Sequence, residues 1–513
     1  MSTDVDDLQF SDFDPEDLDE ISRLADDVEA DTRLDVVDIE DYEPPHGIRL
    51  PASSPIQYNH ISVQTVRAQS AEPEPPPADI AETAPEPDTR SPLERFRRPP
   101  KKALSVTDLV SPAWCELQYW YTLTRHGRKR RTPAMKQGTT VHQALEEEVH
   151  ITVPVDTPTK EDGWGLRIWN VIQGIRTLRD NGCTRELEIW GTVGGEIVNG
   201  VIDELSYDCP DPNLEAKVDK QAGKKPVVPD LPERQTSIAD FLAPASQQEN
   251  GQSLEAALRP SQPMLKQKPI YVTDIKTRGS KTLPGLSAMR PAILQLHLYH
   301  HMLENLAQGN FALQQLAERY GFDTNAAFSD SFIAQVGSLN QEMSQSSNSS
   351  EDSLDILLKH NSLSSLWSFM LSEFRQTFLL PVESQAPTST PQSVADLPAP
   401  EAQPTRLSPI LTVEYLSATY EHRRGESTRQ HSLGRKSFVF NSGYLKAYLE
   451  DSLNWWHGVR EAKGVELQEA WKCRYCDFRD DCVWIHDRDR SAYQQAVDRK
   501  TMRSDPLSTK SEV

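Results

Sequence analysis

Asp274 and Lys276 close the run Ile270-Tyr271-Val272-Thr273-Asp274-Ile275-Lys276-Thr277, an apolar stretch that ends in charge. Side chains alternate along a strand, so these two share a face. Burying a carboxylate and an ammonium is costly unless each meets a partner, and a metal ion for Asp274 with an anionic substrate for Lys276 would offset the cost. The chemistry that uses such a pair is phosphodiester hydrolysis. A plain strand-end ion pair would use the same triplet, so the neighbouring segments decide. Gly200-Val201-Ile202-Asp203 is a second apolar strand ending in a carboxylate. Gly138-Thr139-Thr140-Val141-His142 opens a helix running from about 140 to 149, with His142 and Glu146 four apart on one face. Beside Asp203 and Asp274, His142 is read as a metal ligand and Glu146 as a weaker candidate. Gln295 and Tyr299 share a face of a helix that Pro291 starts and that runs to about 307, placed to orient Lys276 or to meet a nucleotide backbone. Glu196 is a further carboxylate of unassigned role.

The six cysteines are unevenly spread. Cys473, Cys476 and Cys482 put three thiolates within ten residues, and a fourth ligand is needed to close a tetrahedral or cubane site. Cys115, where ordered structure is expected to begin, is the favoured fourth. His486, four residues after Cys482, is the rival and would make a Cys3His zinc site. Cys183 and Cys209 are isolated in the sequence.

The elements that must position these groups follow from patterning. Glu186–Trp190 and Glu196–Asp203 predict antiparallel strands, 164–178 a helix, 411–420 and 437–440 strands, and 443–456 a helix. Residues 1–100 read as a disordered acidic and Pro-rich tail, 101–496 as one domain, and 497–513 as a second tail. Within the domain, polar inserts are expected at about 210–268, 335–352 and 382–408. Of a net charge of −23, the first 50 residues contribute 18 acidic and 3 basic side chains, so the acidity argues little against a nucleic-acid partner. Candidate phosphate contacts are the basic run Arg125–Arg131, the group Arg278, Lys281 and Arg290, and the basic residues Arg423, Arg424, Arg429, Arg435 and Lys436. No apolar run reaches the roughly 18 residues of a membrane helix. The N-terminus has neither a secretory segment nor an Arg-rich presequence, so a nuclear or cytoplasmic protein is expected. No phosphate-gripping Gly-x-x-x-x-Gly-Lys-Ser/Thr run occurs, which argues against a helicase.

Taken in order, Leu104-Ser105-Val106-Thr107-Asp108 with Trp114-Cys115, Gly138 to His142, Gly200 to Asp203, Asp274 to Thr277, Gln295 to Tyr299, and Trp471-Lys472-Cys473 to Cys482 resemble exonuclease V. That family is a RecB-like branch of the PD-(D/E)XK nucleases. The resemblance implies an α/β restriction-endonuclease-like core, with a mixed central sheet flanked by helices. It implies a [4Fe-4S] cluster on Cys115, Cys473, Cys476 and Cys482 that joins the N- and C-terminal helical parts. It also implies a magnesium-dependent exonuclease, with manganese as substitute, that needs an end of single-stranded DNA and releases short oligonucleotides in repair. His142, Asp203, Asp274 and the Ile275 carbonyl would hold the metal; Lys276 would stabilise charge on the phosphate, with Gln295 and Tyr299 in support. The family also includes mitochondrial members, so the mitochondrion is the alternative compartment. A monomer is expected. The alternative from another class is an inactive iron-sulfur DNA-binding or scaffold protein.

Gln235-Thr236-Ser237-Ile238-Ala239-Asp240-Phe241-Leu242 resembles a sliding-clamp docking peptide, with Leu242 where a second aromatic is usual. Ile238, Phe241 and Leu242 would form an apolar plug that folds on binding.

Overall fold

The computed structural model describes residues 47–51, 88–126, 133–221, 223, 268–344, 353–380, 403–417 and 432–504. The first part of the chain gives β1 Gly47–Pro51, α1 Pro92–Phe96, β2 Leu104–Ser105, α2 Val106–Val110, α3 Glu116–His126, α4 Pro133–Glu147, β3 His150–Pro154 and α5 Lys160–Asn181. The hairpin strands β4 Cys183–Val193 and β5 Glu196–Ser206 follow, then α6 Pro212–Gln221, β6 Ile270–Arg278 and α7 Leu286–Gln308. Helices α8 Leu313–Tyr320, α9 Asp330–Ser344, α10 Ser353–Lys359 and α11 Leu363–Phe378 precede β7 Leu407–Ser417 and β8 Ser432–Val439. Helix α12 Ser442–Trp456, two 3-10 segments at Leu467–Tyr475 and Arg479–Asp481, and α13 Val483–Ser504 complete the described chain.

The fold is mixed α/β, a six-stranded central sheet flanked by helices. Strand β5 is its hub. One edge of β5 pairs with β4 along its length; the other meets β2 at Val198–Asn199 and β6 at Glu204–Ser206. Strand β7 runs parallel to β6, and β8 antiparallel to β7. The β4–β5 turn has Gly194 at φ 57° and Gly195 at φ 86°, the positive values that a two-residue hairpin turn matching strand twist requires. Helix α5 starts on a Thr159–Asp162 capping box and stops at Gly182, φ 83°. Trp169 on that helix and Trp190 on β4 are fully buried in a continuous core that reaches Trp455 and Trp456 of α12.

Helices cover both faces of β6. Val141 of α4 packs with Ile275 and Leu416, whereas Gln295 of α7 meets Lys276, which points the other way from Ile275. Close approach of α7 depends on Gly200: a Cβ there would lie 2.7 Å from Val106 Cγ2 and 2.8 Å from Tyr299 Cε1. Gly200→Val should therefore displace Tyr299, cost about 1–3 kcal/mol of stability and lower turnover; thermal melting and a cleavage assay check both effects.

The structure departs from the sequence expectations in several places. Within the stretch read as a tail, β1 pairs with β3 in a separate two-stranded sheet, and α1 forms on a Ser91–Glu94 capping box. A five-residue strand supplies too little periodicity to stand out from an acidic, Pro-rich background. Helix α7 begins at Leu286, so Pro291 lies inside it rather than at its start. That proline removes one ladder bond near the helix end, which the buried remainder tolerates. Polar composition also misplaced the insert edges: α6 occupies the start of the first, α9 runs to Ser344 inside the second, and β7 begins inside the third. The clamp-like peptide Gln235–Leu242, Arg423, Arg424, Arg429 and most of Arg125–Arg131 lie outside the described residues.

Candidate active site

The hairpin register brings three carboxylates into one row. Pairs Arg185–Glu204 and Leu187–Ile202 bracket Glu186 opposite Asp203, while Glu204–Thr273 makes Asp203 and Asp274 the next opposing pair on β5 and β6. Cross-strand neighbours point the same way, and like charges directly opposite destabilise pairing. The pairing is interrupted at this row: the β4–β5 register skips Glu186 and Asp203, and the β5–β6 pairing stops at Glu204–Thr273. Glu186 has φ 50°, the one described non-glycine residue with positive φ. In the gap, Asp203 Oδ2 accepts the Ile275 N–H at 2.7 Å.

His142 closes the row from α4. Its Nδ1 is 3.0 Å from Glu186 Oε1 and its Nε2 3.0 Å from the Ile275 carbonyl oxygen. His142, Glu186 and Asp203 hold donor atoms within 4.8 Å of one another, the one such triplet among the described residues. Lys276 Nζ donates to Asp274 Oδ1 at 2.8 Å and to Gln295 Oε1 at 3.4 Å, and Gln295 Nε2 donates to the Tyr299 hydroxyl at 3.0 Å. Asp274 is 1 % exposed, and its Oδ2 has no hydrogen-bond partner among the described residues. A buried carboxylate oxygen left this way is what a cation site provides.

Electrostatics agree with crowding of negative charge. Burial pushes the Asp203 carboxyl up to about 7; the Asp274 charge adds to this while His142 opposes it. Burial alone would depress His142, yet the Asp203 charge and the Glu186 hydrogen bond raise it to about 9. Burial also holds the Tyr299 hydroxyl well above the usual phenol range, so Tyr299 is a neutral partner for Gln295.

Glu146 is not in the row. It pairs with Arg49 Nε at 2.7 Å. Glu196 sits at the hairpin end of β5, where it meets Arg98 at 3.2 Å and His457 at 3.4 Å. Arg435 pairs with Glu414, and Arg278 stacks over Tyr415, 5.7 Å from the ring centre. Glu186 is the residue that motif reasoning missed. Its signal was present: once the β4–β5 register is drawn, Glu186 falls opposite Asp203.

At a second site, Cys115, Cys473, Cys476 and Cys482 line one cavity with Trp114 and Trp484. Around it Lys472 Nζ donates to the Trp114 carbonyl at 3.3 Å, Trp471 meets Trp114 edge-on at 5.6 Å, and the Leu117 N–H donates to the Lys463 carbonyl at 3.0 Å. Burial pushes the Cys115 thiol up to about 12 and the Cys476 thiol up to about 11. His486 is turned aside, with Nε2 2.8 Å from the Asp480 carbonyl oxygen.

A mixed sheet that splits at opposed carboxylates, with a lysine two residues farther along the strand, is the RecB-like PD-(D/E)XK nuclease fold. The family model described as Exonuclease V, a 5′ deoxyribonuclease, matches residues 91–485, and the chain belongs to that family of DNA nucleases. Exonuclease V of Danio rerio is 23% identical over 410 residues, covering 79% of this chain and 76% of its own length. Exonuclease V, mitochondrial, of Eremothecium gossypii is 24% identical over 438 residues, covering 74% of this chain and 76% of its own. The Candida glabrata protein of the same name is 22% identical over 447 residues, covering 75% and 80%.

Proposed function

We propose that the chain is a metal-dependent exonuclease specific for single-stranded DNA, entering at a 5′ end and releasing short oligonucleotides in DNA repair. The observation that carries this reading is the opposition of Asp203 and Asp274 where β5 and β6 part, with Lys276 beside them. The unpartnered Asp274 Oδ2 and the mainly oxygen donor set suit a hard divalent ion. Magnesium, with manganese as substitute, would be held by His142, Asp203, Asp274 and the Ile275 carbonyl, and supplies Lewis acidity and an acidified water. Glu186 accepts the Nδ1 proton of His142; Nε2, whose proton faces the Ile275 carbonyl, would ligate the ion on giving that proton up. Lys276 stabilises charge on the attacked phosphate, and Gln295, braced by Tyr299, aims it. Glu186→Gln is expected to raise the half-saturating magnesium concentration about tenfold with little change in turnover at saturation; a magnesium titration of initial rates checks this.

We assign Cys115, Cys473, Cys476 and Cys482 to a [4Fe-4S] cluster with a structural role. Their shared cavity and the outward turn of His486 support this over a Cys3His zinc site. Among the described residues no helix is long and apolar enough to cross a membrane. Three fungal relatives are named mitochondrial, which favours the mitochondrion over the nuclear residence expected from the N-terminal composition. Imaging a C-terminal fluorescent fusion separates the two compartments.

A second reading is an inactive DNA-binding or scaffold protein. The observation in its favour is that Asp203 and Lys276 are already engaged internally, by the Ile275 N–H and by Asp274. The deciding experiment digests 5′-labelled, 3′-labelled and circular single strands with magnesium, using wild type and Asp274→Ala. Cleavage of linear strands alone, lost in the variant, supports the exonuclease. Uncut DNA with retained binding supports the second reading.

A further inference from the structure

Strand β1 lies outside residues 91–485 matched by the family model, yet it is built into the molecule beside the candidate site. Ile48 and Leu50 are 0% and 1% exposed. A Cβ on Gly47 would stand 2.3 Å from the Val153 carbonyl oxygen, so only glycine permits this approach to β3. Buried Asn170 of α5 fixes the strand from the side, accepting the Arg49 N–H at 2.9 Å and donating to the Gly47 carbonyl at 3.0 Å. The residue so positioned is Arg49, itself 8% exposed. Its Nε pairs with Glu146 on α4 at 2.7 Å, and its Nη1 donates to the carbonyl of Glu186, at the row where the β4–β5 ladder is open.

We propose that Arg49 is a positioning residue for the metal site, delivered by an N-terminal strand that adds to β3. It ties α4, which carries His142, to the distorted residue of β4 that receives the His142 Nδ1 proton. The guanidinium fork suits this task because it reaches two acceptors in different directions from one rigid plane. Arg49 would act through its neighbours: it fixes Glu186, and Glu186 fixes the imidazole. The inference rests on the metal-site reading above and extends it to a segment that the family match does not include.

The test titrates the full-length protein with Mn2+, following free Mn2+ by electron paramagnetic resonance, and records melting and magnesium-dependent cleavage in parallel. Wild type, Asp274→Asn, Arg49→Met, Arg49→Lys and Gly47→Val are compared. Arg49→Met is expected to weaken Mn2+ binding by about 10- to 100-fold, the range for loss of a group that orients a metal ligand, and to raise the half-saturating magnesium concentration more than it lowers saturated turnover. Arg49→Lys, which keeps the charge opposite Glu146 but loses the fork, should recover part of the affinity. Gly47→Val should weaken Mn2+ binding with Arg49 intact, because it unseats the strand. Wild-type Mn2+ affinity in Arg49→Met, with or without a lower melting temperature, overturns the inference and leaves β1 a structural staple. If wild type binds no Mn2+, or Asp274→Asn binds it equally well, the metal-site reading fails first and the inference falls with it.

Discussion

Asp203→Ala and Asp274→Ala should each reduce DNA cleavage by about a thousandfold, the equivalent of some 4 kcal/mol in the barrier, while single-strand affinity changes by less than about threefold. Affinity for a single strand comes from many backbone phosphate contacts and is spread over the surface. The carboxylate row, in contrast, would act on one phosphate. Lys276→Ala should match them, since Lys276 is the cation held beside Asp274 and aimed by Gln295. Fluorescence anisotropy with a labelled oligonucleotide in EDTA measures binding, and single-turnover digestion with magnesium measures cleavage. Undiminished cleavage in all three variants removes the assignment.

Cys115→Ala should produce the second large effect. Purified without oxygen, the wild type is expected to be brown, with absorbance near roughly 400 nm and about four irons per chain. The variant should lose the colour and melt at a lower temperature. Closing so long a stretch of chain is worth on the order of 5 kcal/mol in chain entropy before strain, but other ties survive in the variant, so the loss is a fraction of that: the Lys472–Trp114 and Leu117–Lys463 bonds, the Trp114–Trp471 edge contact, the partly buried Glu116–Arg460 pair at 2.6 Å and the exposed Arg125–Asp481 pair at 2.7 Å. Wild-type protein that is active, colourless and carries one zinc would reverse the assignment toward Cys473, Cys476, Cys482 and His486.

Much of the central sheet was legible because its signals are local. Apolar runs marked β5 and β6, the adjacent runs Glu186–Trp190 and Glu196–Asp203 read as the antiparallel strands that form the hairpin, and helical patterning marked α5 and α12. The motif residues His142, Asp203, Asp274, Lys276, Gln295 and Tyr299 come together around the split strands, although they span more than 150 positions. What stayed hidden depends on pairing between distant strands. Glu186 looks like an ordinary strand carboxylate until the register sets it against Asp203. Arg49 looks like part of a polar tail until β1 is paired with β3, a non-local contact that five residues of sequence do not announce. Insert boundaries were misjudged for the opposite reason: α6 has no buried residue and α9 continues into Ser- and Gln-rich sequence, so composition concealed regular structure.

The tie between the Trp114–Cys115 corner and the Trp471–Cys482 turns also sets a clock. Trp114 and Lys472, bonded in the folded chain, are 358 positions apart. At ordinary elongation rates the second arrives roughly 20 to 70 s after the first. During that interval the whole carboxylate row and its lysine have left the ribosome, while the corner that holds Cys115 waits without its partner. The sheet strands can therefore pair before this seam closes, since the Lys472–Trp114 bond waits until Lys472 has been made. A chain truncated by premature termination before Trp471 would carry every residue of the candidate active site but lack the Trp471 and Lys472 contacts to Trp114, so seam closure reports whether translation has passed these turns.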